Sequence, residues 1–208
     1  VIHLITKLAG RVIVTGIGKS AIIAQKIVAT LNSTGTPSIF MHAADAIHGD
    51  LGIIQKNDLV IAISKSGNTP EIKVLVPFLK QANNPLVAIV GNKSSFLAEK
   101  ADYILDTTVE KEACPNNLAP TTSTTAQLAM GDALAVCLQT ARQFTDRDFA
   151  KYHPGGALGK QLYLKVSDLS DNNGTPSVRS TENIRQTIIT ITKHRLGATA
   201  VIENDQII

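Results

Sequence analysis

Three hydroxyl side chains fall within one short segment, residues 63–71 ("ISKSGNTPE"). They are Ser64, Ser66 and Thr69, and Gly67 between them allows the backbone to curl. A predicted helix begins directly after them, so its positive dipole end faces the same turn. Short donors in such a concave turn suit the oxygens of a phosphate. We therefore expect a phosphate site here, since an ordinary helix N-cap needs one hydroxyl and not three.

A second glycine-containing turn, "VIVTGIGKS", occupies residues 12–20. Its end, Gly18-Lys19-Ser20, matches the end of a nucleotide-triphosphate loop, but Ile13 stands where that loop needs its first glycine. The half of the loop that wraps a phosphate is therefore missing. A helix N-terminus that carries the Lys19 ammonium and the Ser20 hydroxyl still suits an anion.

The same turn also resembles a dinucleotide fingerprint, with Gly16, Gly18 and Ala21 at the required spacing after a strand. That fingerprint needs an acidic residue about 20 positions later, and the first acid in this chain, Asp45, comes late. A nicotinamide oxidoreductase is therefore a weak alternative. A simpler alternative is that the glycines only form a tight turn between strand and helix.

Short β-branched runs alternate with longer helical patterns along the first two thirds of the chain. This alternation predicts an α/β fold with a doubly wound parallel sheet of five strands. Ligands of such sheets bind at the carboxyl ends of the strands, near the point where the strand order reverses. The predicted strands are 12–15, 38–41, 59–63, 86–90 and 103–105, and the predicted helices include 19–32, 94–100 and 121–142.

The composition of the sequence changes after residue 165. Residues 167–178 ("SDLSDNNGTPSV") are polar and contain glycine and proline, which is typical of a linker. A helical pattern over 181–194 and an apolar strand over 199–202 follow. So short a segment cannot build a large core, and we interpret it as an incomplete second domain.

Composition limits the classes of function. The formal net charge is +3 and the basic residues are scattered, so we expect no nucleic-acid partner. The two cysteines, Cys114 and Cys137, lack metal-ligand spacing and suit a reducing compartment such as the cytoplasm. No apolar run approaches the roughly 20 residues that a membrane-spanning helix needs, so we expect no membrane partner.

Several long motifs identify a family. The segment "SKSGNTPE" resembles the phosphate loop of the sugar isomerase (SIS) fold. The segments "GIGKS", "STGTPSIFMHAADAIHGDLG", "EKEACPNNLAPTTSTTAQLAMGDALA" and "FAKYHPGGALGK" together resemble the bacterial D-arabinose-5-phosphate isomerases of the pathway to the sugar acid Kdo. The resemblance covers about residues 10–169. It implies an SIS domain over 1–165, followed by a linker and the incomplete start of a first CBS module over 166–208.

The activity that this resemblance implies is an aldose–ketose isomerisation. The enzyme would interconvert D-ribulose 5-phosphate and D-arabinose 5-phosphate through an enediol, without a metal or another cofactor. Relatives with SIS domains lead us to expect a cytoplasmic homotetramer. A non-catalytic SIS sensor of sugar phosphates is the alternative class, and it need not keep a lysine, a glutamate and a histidine together in the site.

The resemblance also implies the catalytic residues. Lys19 would polarise a substrate oxygen, and Glu112 is preferred as the base that moves a proton between the first two carbons, with Glu71 as its rival. His48 and His153 would line the site. His153 is preferred for opening the sugar ring, and it could reach a neighbouring subunit.

Binding residues follow from the same motifs. The phosphate anchor would be Ser64, Ser66 and Thr69, with Ser20 reaching in from the first turn. Lys65 stands where the family often has asparagine, and it either adds charge to the site or projects into solvent.

A run of hydroxyls at residues 120–125 ("PTTSTT") either caps the long helix or faces the substrate. On the second interpretation Thr121, Thr122 and Ser123 bind the sugar phosphate together with Gly18. The resemblance further suggests feedback by the cytidylyl-activated sugar acid Kdo and an adenine nucleotide at a complete CBS pair. Whether the pathway feeds lipopolysaccharide, capsule or sugar-alcohol metabolism is left open.

Overall fold

A computed structural model describes residues 1–168 and 174–208 of the chain. These residues form two compact units, Val1–His153 and Pro154–Ile208. The linker predicted over residues 167–178 falls in part on 169–173, which lie outside the described residues. The domain boundary predicted between residues 165 and 166 stays a prediction.

The first unit is built on a parallel sheet. Its strands are β1 (Val12–Gly16), β2 (Ser38–His42), β3 (Leu59–Ser64), β4 (Leu86–Val90) and β5 (Tyr103–Asp106). The strand order is β2-β1-β3-β4-β5 and all four pairings are parallel. Every residue of β1, β3 and β4 is buried, because both faces of the sheet are covered. The predicted α/β class and five-stranded doubly wound sheet are confirmed.

Helices cover the two faces of this sheet in two groups. They are α1 (Ile2–Thr6), α2 (Lys19–Ser33), α3 (Ala43–Ala46), α4 (Pro70–Gln81), α5 (Phe96–Lys100), α6 (Thr122–Arg142) and α7 (Asp146–Tyr152), with a 3₁₀ turn at Asp50–Ile53. One core contains apolar residues of α1, α2 and α6, and the other contains those of α3, α4 and α5.

The strand order reverses at β1, which lies between β2 and β3. The chain leaves β1 towards α2 on one face, and it leaves β3 towards α4 on the other. The turns after these two neighbouring strands therefore diverge. A crevice at their carboxyl ends is the place where ligands bind in open α/β sheets.

Close packing of α2 against α6 depends on Gly131, which is buried in the middle of α6. A Cβ at this position would overlap Cγ1 and Cδ1 of Ile27 on α2. The absence of a side chain at Gly131 therefore lets the two helices approach, and their approach fixes α6 beside the crevice.

The substitution Gly131→Ala is expected to destabilise the fold by about 1–3 kcal/mol, the usual cost of overpacking. The measurement is a urea unfolding curve with its midpoint and slope. In an Ile27→Ala background the clashing atoms are gone, so the same substitution should be neutral or stabilising by up to about 1 kcal/mol through helix propensity. Equal costs in both backgrounds would contradict this account.

The second unit is small. It contains α8 (Ala157–Tyr163), β6 (Ser177–Arg179), α9 (Ile184–His194), β7 (Ala200–Glu203) and β8 (Gln206–Ile207). Its sheet has the order β6-β7-β8, parallel between the first two strands and antiparallel between the last two. The predicted helix and apolar strand correspond to α9 and β7. β6 and β8 were not predicted, since strands of three and two residues give no apolar pattern.

The assignment of this unit to a CBS module stays a prediction. Within residues 1–168 and 174–208, each helix is too short or too polar to span a lipid bilayer.

Candidate active site

A pocket of about 260 Å³ opens where β1 and β3 end. Three segments form it: the turn after β1, the loop after β3 and the first turns of α6. The charged residues in its lining, Lys19 and Lys65, are both cations, which suits an anionic ligand. The lining residues are Ile17, Lys19, Ser20, Ile63, Ser64, Lys65, Ser66, Thr69, Pro120, Ser123, Thr124 and Gln127.

The loop after β3, residues 64–69, will be called the hydroxyl loop. The buried Ser64 hydroxyl accepts a hydrogen bond from the Gly67 N–H at 3.0 Å and shares another with the Thr69 hydroxyl at 2.9 Å. Ser66 Oγ accepts from the Asn68 N–H at 3.2 Å. Thr69 occupies the N-cap position of α4, but its side chain makes no capping bond. These hydrogen bonds within the loop stabilise its curled conformation. The first backbone N–H groups of α4 receive no hydrogen bond from the Thr69 side chain.

Gly67 is the residue that this curl requires. Its φ is +63°, in the left-handed region, and a Cβ there would overlap the Ser95 hydroxyl, which caps α5. Both constraints exclude a side chain. The loop is therefore held by β3, by its own hydroxyls and by the start of α5.

The substitution Gly67→Ala is expected to destabilise the protein, by about 1–2 kcal/mol for the left-handed backbone and by a further 1–3 kcal/mol or so for overpacking. Thermal unfolding measures the loss. Gly52→Ala is the matched control, because a Cβ at Gly52 meets nothing within 4 Å and its φ is not in the left-handed region. A Gly67→Ala protein as stable as this control would contradict the assignment.

Glu112 is a buried carboxylate, 2% exposed, that lies outside the pocket lining. It contacts two residues of that lining, Lys65 and Ser123. Its Oε2 accepts hydrogen bonds from the Thr121 N–H at 2.8 Å and from the Ser123 N–H at 3.1 Å. Its Oε1 accepts from the Ser123 hydroxyl at 2.5 Å and forms an ion pair with Lys65 Nζ at 2.7 Å. The bonds from Lys65, Ser123 and Thr121 outweigh burial and hold the pKa of Glu112 well below its usual value.

These bonds mean that Glu112 caps α6. Thr121 is the N-cap residue, yet its own side chain makes no capping bond, and Glu112 takes that role. The Thr121 hydroxyl also accepts from the Ala113 N–H at 2.9 Å. The predicted substrate-facing hydroxyls are thus largely occupied: Ser123 lines the pocket but donates to Glu112, while Thr122 is exposed and lies outside the lining.

Glu71, in the first turn of α4, differs from Glu112. Its Oε2 is buried and, within residues 1–168 and 174–208, has no hydrogen-bond partner. It forms no capping box with Thr69, so the cap that first-turn acids usually complete is not formed. A buried carboxylate oxygen without a donor is unfavourable unless something else supplies one. Glu71 does not line the pocket as the single chain forms it.

The two predicted histidines also lie outside the lining. His48 is exposed in the turn after α3, where its backbone N–H donates a hydrogen bond to the Asp45 carbonyl oxygen at 2.9 Å. His153 ends α7, with its ring stacked on Phe149 at a centroid distance of 3.8 Å and its Nδ1 2.9 Å from the Phe149 carbonyl oxygen. The single chain therefore brings neither imidazole to the pocket.

Seven predicted residues do meet there: Lys19, Ser20, Ser64, Lys65, Ser66, Thr69 and Ser123. Gly18, which precedes them at the N-cap of α2, has a φ of +57° that a residue with a side chain adopts rarely. Sequence reasoning did not single out Gln127, whose only signal was its place one helical turn after Ser123.

In residues 1–168 and 174–208, no three or more His, Cys, Asp or Glu side chains are placed to hold a metal ion together. Cys114 is partly exposed, Cys137 is exposed, and neither forms a disulfide.

A doubly wound sheet with a serine- and threonine-rich loop at its crevice is the class of α/β domain that suits phosphate-bearing ligands. The family model of the SIS domain matches residues 5–137, and the chain belongs to the SIS domain family. Among its relatives is the arabinose 5-phosphate isomerase KdsD of Escherichia coli K12, which is 49% identical over 200 residues. That similarity covers 96% of this chain and 61% of the relative.

Two further comparisons agree. The arabinose 5-phosphate isomerase KdsD of Pseudomonas aeruginosa is 50% identical over 195 residues, which cover 93% of this chain and 60% of the relative. The chain thus spans about three fifths of the length of these curated relatives. A solved structure of an Escherichia coli protein in complex with arabinose 5-phosphate is 44% identical with a TM-score of 0.72, covering 74% of this chain and 81% of that chain.

Proposed function

We propose that this chain carries the isomerase domain of an arabinose 5-phosphate isomerase. It interconverts D-ribulose 5-phosphate and D-arabinose 5-phosphate through an enediol. The observation that carries the proposal is the pocket at the crevice, which joins the hydroxyl loop to Lys19. The names of the relatives support this choice of substrate.

The hydroxyl loop anchors the phosphate. Ser66 Oγ accepts a bond from the loop but donates none that is described, so its hydrogen is free for a phosphate oxygen. Ser64 and Thr69 share one hydrogen between them, which leaves the second hydrogen of the pair for the ligand. The start of α4 adds its positive dipole end. Lys19, on the opposite side of the crevice, polarises the carbonyl oxygen of the substrate.

The two glutamates take different roles. A base that removes a carbon-bound proton works best when its pKa is near neutral. The sequence favoured Glu112, and that assignment is untested, but its many donors and lowered pKa make it a poor proton acceptor. Glu71 keeps one oxygen unbonded. We therefore assign the base to Glu71, which lies outside the lining of the single chain but only two residues after Thr69 of that lining. We assign to Glu112 the positioning of Lys65 and the start of α6.

His153 and His48 are proposed to act across subunits of a homotetramer. Both lie outside the pocket of their own chain. Imidazole titrates near neutral pH and suits the proton transfers of ring opening. On this proposal His153 is the ring-opening group, and the oligomer completes the site.

The biological setting is proposed from the same relationship. The protein works in the cytoplasm, and the cytidylyl-activated sugar acid inhibits it by occupying the same pocket. An adenine nucleotide binds when a complete CBS pair is present.

The test is to incubate the 208-residue chain with D-arabinose 5-phosphate and to follow D-ribulose 5-phosphate. Ribose 5-phosphate and glucosamine 6-phosphate serve as parallel substrates. Turnover of arabinose 5-phosphate alone supports the proposal. Thermal stabilisation by the same compound without turnover would reject the enzyme and favour a sensor.

A further inference from the structure

Gln127 is a buried amide in the wall of the pocket. The residue is 1% exposed, and it lies on α6 in the turn after Ser123 and Thr124. Residues three and four positions apart lie on one side of a helix, so Gln127 shares the pocket side of α6 with both of them. A buried amide is costly unless its oxygen and its N–H₂ group both find partners.

One end of this amide is engaged within the protein. The Ser20 hydroxyl donates to Gln127 Oε1 at 3.2 Å, which joins the first turn of α2 to α6. No acceptor is described for Nε2 in residues 1–168 and 174–208. The bond to Ser20 fixes the amide plane, so the N–H₂ group has a defined direction and remains available to a ligand.

The hydroxyl groups of the other pocket-lining side chains on α6 already donate their hydrogens within the protein. Ser123 Oγ donates to Glu112, and Thr124 Oγ1 donates to the Thr121 carbonyl at 2.8 Å. Ser20 has one hydroxyl hydrogen, and Gln127 takes it. Among the side chains on this side of the pocket, within residues 1–168 and 174–208, those of Lys19 and Gln127 keep hydrogens for a ligand.

We infer that Gln127 donates a hydrogen bond from Nε2 to the phosphate of the substrate, and that Ser20 acts as its positioning partner. The inference rests on the proposed function in placing a phosphate ester in this pocket. The phosphate is then held between the hydroxyl loop on one side and the Gln127 amide on the other. Gln127 is a binding residue on this account, and it contributes equally to the bound substrate and the transition state.

Two substitutions of nearly unchanged size test the inference. Gln127→Met removes both polar ends, and Gln127→Glu keeps the acceptor for Ser20 but places a negative charge against the phosphate. Loss of one bond to a charged group should raise KM for D-arabinose 5-phosphate about tenfold or more in Gln127→Met, with kcat little changed. Gln127→Glu should raise KM further. Gln139→Glu, about three turns along the same helix, is the charge-matched control.

Inorganic phosphate is the second probe, read as stabilisation in thermal unfolding. Wild-type protein should be stabilised by phosphate, and both Gln127 variants should lose most of that stabilisation. Equal stabilisation of wild type and variants, or a KM unchanged in both, would overturn the inference while leaving the proposed function intact. A wild-type chain that neither phosphate nor D-arabinose 5-phosphate stabilises, and that does not turn the sugar over, would instead reject the proposed function.

Discussion

Glu71→Gln is expected to lower kcat for D-arabinose 5-phosphate by about 10²–10⁴-fold, the usual contribution of a general base. Glutamine keeps the shape of the side chain but cannot accept the substrate proton. Because Glu71 Oε2 bonds no described group, the exchange breaks no hydrogen bond of that atom and the fold should remain intact. Steady-state kinetics measure the effect, with KM expected to change little.

The base can be identified independently of turnover. Isomerisation through an enediol in D₂O incorporates deuterium at the reacting carbon, and this incorporation should fall with kcat in Glu71→Gln. Glu99→Gln is the control, since Glu99 is another first-turn acid, exposed on α5. A Glu71→Gln enzyme that keeps near-normal kcat and deuterium incorporation would return the base to Glu112 or to a histidine.

The sheet was predictable because its strands leave a plain signal. Segments such as 59–63 and 86–90 are apolar at every position, which a strand covered by helices on both faces requires. The small strands β6 and β8 leave no such signal. The α3 turn and the 3₁₀ turn that follows β2 were also not predicted, since four residues carry too little periodicity.

Within the site, local chemistry was predictable and long-range pairing was not. The three hydroxyls of the hydroxyl loop are neighbours in the sequence, so their shared purpose could be inferred from it. The ion pair of Lys65 with Glu112 joins residues far apart in the chain. Its formation depends on how α6 packs beside β3, which in turn depends on Gly131 and Ile27. The burial of Gln127 also depends on how α6 packs, so the sequence alone does not reveal it.

Glu112→Gln is the second substitution with a large expected effect, a loss of about 10²-fold in kcat/KM. The new amide places an N–H₂ donor where one carboxylate oxygen accepted hydrogen bonds. Lys65 then loses its ion pair, and the start of α6 loses its cap. Misplacing binding groups by about 1 Å can cost roughly 10²-fold in rate even when they perform no chemistry. The measurement is kcat/KM beside a thermal unfolding curve, and near-normal values in both would contradict this role.

The pH dependence of stability separates this role from catalysis. Folding lowers the pKa of Glu112 below its usual value of 4.5, so its carboxylate stabilises the fold above that pH. This stabilisation is lost progressively as the pH falls from 4.5 towards the lowered pKa of the folded state. Wild type should therefore unfold at a higher temperature than Glu112→Gln at about pH 7, and the gap should narrow on acidification below about 4.5. A gap independent of pH would show that the charge of Glu112 contributes nothing to the fold.

Lys65→Met completes the argument, because Lys65 acts on Glu112 directly across 2.7 Å. If Glu112 serves mainly to hold Lys65, the double variant should lose little more activity than the worse single variant, as coupled residues do. If Glu112 were the base, its loss should multiply the loss from Lys65→Met. Lys93→Met is the matched control, since Lys93 pairs with the partly exposed Asp106 outside the pocket lining. Coupling confined to Lys65 would make Glu112 a positioning residue and leave proton transfer to Glu71.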